Sequence, residues 1–213
     1  MEDTLTGLSM SDFEARVASI DATPGGGSVS ALAGSLGSAL GAMVWRLTQA
    51  KTSSDLSEER LDGLIAELDE LGAALRAKVD EDAASYDGVI TAIRLPKTTD
   101  AEKESRRAAI VAATRVATEV PLETARLCVE VMENCLVAAR LGHAAAVTDA
   151  GVGLLAAFAG VKGALYNVRV NLAGASAEGR DDAMLDEVAS LGVRAEAMLR
   201  EGDALVGERL SCS

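Results

Sequence analysis

The chain has 213 residues, 49% of them hydrophobic but only 2% aromatic, and carries a net charge of −13. Forty alanines beside only three prolines favour helix over strand and predict an all-α, single-domain bundle of about six to seven helices spanning residues 1–213, with two Ala/Gly-rich helices at its centre. Disorder is excluded by the aliphatic content, a disulfide scaffold by having three cysteines, and nucleic acid as a partner by the lack of a basic face.

In chain order, Met1-Glu2-Asp3-Thr4 has neither the basic nor the apolar stretch of a secretory signal. Ser11-Asp12-Phe13-Glu14 reads as a capping box opening a short helix to about Ile20. The turn Thr23-Pro24-Gly25-Gly26-Gly27-Ser28 leads into a small-residue helix, residues 28–50. Its first 18 residues are uncharged, long enough to raise the question of a membrane span. Repeated Ser and Gly dilute its hydrophobicity, so a buried helix that lets backbones approach closely is the expectation, with Gly37-x-x-x-Gly41 as one such face.

A polar break at 51–57 precedes a third helix. Its apolar residues, Leu61, Leu64, Leu68, Leu71, Leu75, Val79, Tyr86, Ile90 and Ile93, recur at three- and four-residue steps, with one gap of seven between Val79 and Tyr86. Leu95-Pro96-Lys97 ends it. Thr99-Asp100-Ala101-Glu102 is a second capping box, and the charge run Glu102–Arg107 reads as a solvated face. Pro121 is expected to start or kink the next helix, which closes at Gly142. A second small-residue helix follows over about 148–172, and an acidic amphipathic one over about 181–209.

One residue breaks the apolar stripe of the third helix. Steps of four, three and four connect Leu75, Val79, Asp82 and Tyr86, placing a carboxylate where it is costly unless paired, hydrogen-bonded or protonated. Asp82 is thus either an acid/base group or a structural Asp bonded to a neighbouring helix. Pro24, Gly25, Gly26, Gly27 and Ser28 form either an anion-holding helix N-terminus or a tight interhelical turn. The run matches no nucleotide-binding fingerprint. A single histidine, His143, excludes a His-based zinc cluster and reads as a surface residue past a helix end. Cys128 and Cys135, seven apart, read as packed small hydrophobes. An odd cysteine count, with Cys212, fits a reducing cytoplasm.

In order, Thr23-Pro24-Gly25-Gly26-Gly27-Ser28, Asp80-Glu81-Asp82-Ala83 with Tyr86-Asp87, Arg94-Leu95-Pro96-Lys97-Thr98, Val120-Pro121-Leu122, Thr148-Asp149-Ala150-Gly151-Val152 and Asn167-Val168-Arg169-Val170-Asn171-Leu172 resemble the formiminotetrahydrofolate cyclodeaminase / methenyltetrahydrofolate cyclohydrolase family. The resemblance implies an all-helical cytoplasmic folate enzyme, usually at least a homodimer. It needs no metal and no cofactor beyond its tetrahydrofolate-derived substrate. It places the catalytic aspartate at Asp82 and sets Pro24, Gly25, Gly26, Gly27, Ser28, Lys97, Asp149 and Asn171 around the folate. His143 stands where the family commonly has Asn. Cyclohydrolase is the leading expectation and cyclodeaminase the alternative. A non-catalytic helical folate-binding or scaffold protein is the further alternative, though it leaves Asp82 on its apolar stripe unexplained.

Overall fold

Hydroxyl side chains fix where three of the helices start. The computed structural model describes residues 4–51, 56–174 and 181–211. Its helices are α1 (Met10–Val17), α2 (Gly26–Ala50), α3 (Glu58–Ile93), α4 (Asp100–Leu141), α5 (Val147–Gly174) and α6 (Asp182–Ser211). Two 3-10 turns, Leu5–Gly7 and Ala144–Ala146, join them, and there is no strand among the described residues. Ser9, Ser57 and Thr99 accept first-turn N–H bonds of α1, α3 and α4, pairing donors that have no partner inside the helix. At Thr99 the expected box is complete, with Glu102 accepting from the Thr99 N–H at 2.8 Å. At α1 the start shifts. Ser9 rather than Ser11 holds the Asp12 N–H, and the helix stops at Val17, short of Ile20.

Of the two expectations for Pro121, a helix start is the one that fails. The residue neither starts a helix nor ends one: α4 runs through it unbroken for 42 residues. Proline lacks an N–H, so the carbonyl four residues back, that of Ala117, loses its helical partner. Asn171 of α5 supplies the missing donor, its Nδ2 lying 2.7 Å from Ala117 O. Asn171→Leu should therefore destabilise the fold by about 1–3 kcal/mol, the cost of an orphaned buried acceptor. Chemical denaturation checks this, and Pro121→Ala in the same background should recover most of the loss. An unchanged midpoint in the single variant would refute the pairing.

The α3 stripe is buried from Leu61 to Val79 as its spacing predicts, but beyond it Tyr86 and Ile93 are exposed because they line an open cleft rather than the core. Helices α2 and α5 run antiparallel, with Gly26 beside Asn167 at one end and Thr48 Oγ1 accepting the His143 N–H at 2.8 Å at the other. Their approach depends on missing side chains. A Cβ on Gly37 would stand 2.7 Å from Gly153 O, and one on Gly160 would stand 2.9 Å from Ser30 O. By length and composition α2 and residues 144–174 could each cross a membrane. The serines of α2 nevertheless face the bundle: Ser28, Ser30, Ser35 and Ser38 are buried, and Ser35 and Ser38 donate to carbonyls of α3. The outer sides of α2 and α5 remain exposed, so these helices are central on one side only.

Cys128 and Cys135 fill the space that the glycines of α2 leave, next to Gly34 and Gly41. Burial pushes both thiols up to about 12, which keeps them protonated and inert. Cys212 lies outside the described residues. The 102–107 run is solvated and locally ion-paired, Lys103 with Asp100 and Arg107 with Glu104.

Candidate active site

The N-terminus of α2 and the middle of α3 meet at one carboxylate. Thr23 and Pro24 are joined by a cis peptide bond, Pro24 is buried, and Gly25 caps α2 in an extended conformation. With no side-chain cap there, the first-turn N–H groups of α2 are left for a partner from elsewhere. Asp82 takes one of them, accepting from the Ser28 N–H and, through Oδ2, from Ser28 Oγ at 3.1 Å. Gly27 lies directly against the carboxylate: a Cβ there would overlap Oδ1, Cγ and Oδ2.

Two effects oppose each other at Asp82. Burial disfavours its charged form, whereas the bonds from Ser28 and the positive end of the α2 dipole favour it. Burial dominates, and the carboxyl sits above the ordinary aspartate range. Ser28 Oγ lies 2.8 Å from Val79 O as well. One hydroxyl proton can serve either acceptor, so Ser28 can donate to ionised Asp82, or donate to Val79 and accept from protonated Asp82. The pair is thus provided for in both protonation states.

Asp82 opens onto a cleft of about 440 Å³, within the size range of small-molecule sites. Gly25, Gly26 and Gly27 line one side and Ala117 and Asn171 another. Val89, Ile93, Ile110 and Val170 supply an apolar wall, while Ser85, Tyr86, Thr114 and Asn167 add polar groups. Asp82 is the one carboxylate among the lining residues. Among the described residues no three or more His, Cys, Asp or Glu are grouped to hold a metal.

The structure therefore brings Gly25, Gly26, Gly27, Asp82 and Asn171 to one cleft, with Ser28 behind the carboxylate and Pro24 in the turn below. Lys97 is exposed in the α3–α4 turn, four residues beyond Ile93, and does not line the cleft. Asp149 is not brought there within one chain. It lies in the first turn of α5 while Asn171 lies in the last, about 33 Å away along a continuous helix. His143 is near Asp149's end: its Nδ1 accepts from the Ala145 N–H at 3.3 Å, capping the short 3-10 turn. Tyr86 and Asn167 are cleft residues that the sequence reading left unassigned. Each stands four residues from a predicted site residue, Asp82 or Asn171, and so shares its helix face.

The formiminotransferase-cyclodeaminase family matches residues 9–190. The chain is 36% identical over 192 residues to a methenyltetrahydrofolate cyclohydrolase of Methylorubrum extorquens, covering 90% of this chain and 86% of that protein. It is 33% identical over 171 residues to mouse formimidoyltransferase-cyclodeaminase, covering 80% of this chain but 32% of that longer protein. Its fold superposes on the crystal structure of formiminotetrahydrofolate cyclodeaminase from Thermotoga maritima with a TM-score of 0.84, at 22% identity, covering 95% of this chain and 98% of that one. Helical architecture, segment order and sequence identity agree, and the chain belongs to the formiminotransferase-cyclodeaminase family of folate one-carbon enzymes.

Proposed function

We propose that this chain is a cytoplasmic, homodimeric methenyltetrahydrofolate cyclohydrolase, hydrolysing 5,10-methenyltetrahydrofolate to 10-formyltetrahydrofolate. The observation that carries the reading is Asp82, a half-buried carboxylate held by Ser28 at the end of a partly apolar cleft. The cyclohydrolase relative is 36% identical over 86% of its length, against 22% for the cyclodeaminase structure, and this higher identity favours hydrolysis over deamination.

The chemistry follows from the charge of the substrate. The methenyl carbon bridges N5 and N10 as an amidinium-like cation, so a carboxylate beside it stabilises the bound ground state and orients water. Asp82 accepts a proton as the water oxygen bonds to that carbon. The neutral tetrahedral adduct then collapses: its C–N5 bond breaks, N5 takes a proton from Asp82, and the adduct hydroxyl loses its proton to solvent as the formyl C=O forms. One proton is released per turnover, balancing the positive charge lost. Val89, Ile93 and Ile110 supply an apolar surface for the ring system. Lys97, just outside the cleft, supplies a cation for the glutamate carboxylates, which the net charge of −13 would otherwise repel.

The test sets two assays side by side on the purified chain. One follows loss of the methenyl chromophore; the other follows ammonia release from 5-formiminotetrahydrofolate. Methenyl hydrolysis well above the uncatalysed rate is expected. Ammonia release without it would move the assignment to cyclodeaminase, and activity in neither would refute an enzymatic role.

A further inference from the structure

One carboxylate ties the start of the chain to α3. Asp80 Oδ1 accepts from the Leu5 N–H at 2.6 Å, and its Oδ2 from Thr6 Oγ1 at 3.0 Å. The Leu5 side chain is buried with Ala31 of α2 and Val79 of α3 in a small apolar cluster apart from the main core. Helix α1 contributes no buried residue, and a cavity of about 500 Å³ lies between it and Val29, Leu32 and Val79. The N-terminal turn is thus held by Leu5 and Asp80, not by the helix that follows it. Leu5 and Thr6 also precede the residues that match the family.

This strap sits one helical turn from the Ser28–Asp82 pair. Ala31 is three residues beyond Ser28 on α2, and Val79 three before Asp82 on α3, so Leu5 wedges the same two helices that the Ser28–Asp82 bond joins. Val79 belongs to both. Its side chain packs in the Leu5 cluster, and its carbonyl lies 2.8 Å from the Ser28 Oγ that reaches Asp82 at 3.1 Å. A bond of that length is already at the long end for a hydroxyl donor, so about 0.3 Å more between α2 and α3 would release Asp82 and leave Ser28 to Val79. Leu5, Thr6 and Asp80 do not line the cleft, so they touch neither substrate nor reacting atoms.

We propose that Leu5 and Asp80 are positioning residues for Asp82, setting the α2–α3 separation at which Ser28 holds the carboxylate. Their catalytic meaning rests on the reading of Asp82 as the proton acceptor; the strap geometry does not. Releasing the strap removes a donor that favours the ionised form, so Asp82 should then ionise at higher pH. Few other groups bear on that ionisation. Around the cleft α2 offers Ser28, α4 Thr114, and α5 Asn167 and Asn171, none of which titrates. On its own helix Tyr86 shares the cleft, Glu81 is paired with Lys78 at 2.7 Å, and Asp80 is turned to the strap. Loss of the Asp80 charge by itself would ease the ionisation of Asp82 and act in the opposite direction. The sign of the shift therefore separates positioning from simple charge.

Leu5→Ala changes no charge. It should move the acid limb of kcat for methenyltetrahydrofolate hydrolysis up by about one pH unit, the size of one hydrogen bond to a charged group, with KM unchanged. Asp80→Ala should move it the same way, and Asp80→Asn less, since the amide oxygen still accepts from the Leu5 N–H. Circular dichroism checks that each variant is folded, and Thr6→Val, which loses one bond of the two, takes the place of an Asp80→Ala that is not. Carbon-13 NMR titration of the Asp82 carboxyl, assigned by its absence in Asp82→Asn, should show the same upward shift without substrate. An acid limb and a carboxyl titration both unmoved in folded Leu5→Ala would overturn the proposal. So would a downward shift in Asp80→Ala, or a loss confined to KM. A wild type that turns over neither folate would count against the proposed reaction, and the carboxyl titration alone would then decide the role of the strap.

Discussion

Asp82→Asn should lose at least about a hundredfold in kcat for methenyltetrahydrofolate hydrolysis while remaining folded, the lower end of what general acid–base catalysis supplies. Asparagine keeps the size of the side chain and can still accept from Ser28, but it cannot take the proton of the attacking water. Among the described residues no other carboxylate lines the cleft to replace it. The same residue sets the acid side of the pH profile. Its carboxyl is raised by burial, and catalysis needs the ionised form, so wild-type kcat should fall on acidification at a pH above the ordinary aspartate range. The stability effect has the opposite sense. A carboxyl whose pKa is raised on folding favours the fold fully when protonated, below its unfolded pKa, and that contribution is lost as pH rises through the folded value. At neutral pH the ionised group is a cost, so the Asn variant should be at least as stable as wild type there, and its advantage should disappear in acid. Single-turnover kinetics and denaturation at two pH values read both effects; near-normal turnover in Asp82→Asn would remove the residue from the mechanism.

Asp82 was legible in the sequence because a helix reports burial by period. Residues from Leu61 to Val79 mark the buried side of α3, and a carboxylate at the next position on that side stands out. The close approach of α2 to a neighbouring backbone was legible for a related reason, since glycine at helical spacing in a long uncharged stretch signals such a neighbour. Pro121 shows where local rules stop. Its effect on α4 depends on Asn171, 50 residues later, which donates to the carbonyl that proline strands; no local pattern encodes that donor. Asp80 is similar. It accepts from the Leu5 N–H at 2.6 Å and from Thr6 Oγ1 at 3.0 Å, pinning the N-terminal turn to α3 across more than 70 residues. Asp149 was placed near the folate by resemblance alone, and a motif's order along the chain says nothing about which end of a 28-residue helix faces the cleft.

Gly27→Ala should cost about a hundredfold in kcat through one added methyl, because a displacement of about 1 Å at a reacting group is worth that much. Gly27 has no left-handed backbone to protect, since no glycine among the described residues has positive φ, and alanine is the better helix former by about 1 kcal/mol. Space alone decides the outcome. The new Cβ would occupy the position of the Asp82 carboxylate, which must then rotate away from Ser28 and from the cleft. The propensity gain offsets part of the steric cost, so stability should change far less than turnover. Gly88→Ala is the matched control: it is exposed on α3, and an added Cβ meets nothing within 4 Å. That variant should gain about 0.5–1 kcal/mol with kcat unchanged. Substrate binding separates the two ways in which Gly27→Ala could fail. A loss confined to kcat identifies a misplaced proton acceptor, and an equal loss in KM alone identifies a narrowed cleft. Wild-type turnover in Gly27→Ala would show that the chemistry does not depend on where this carboxylate is held.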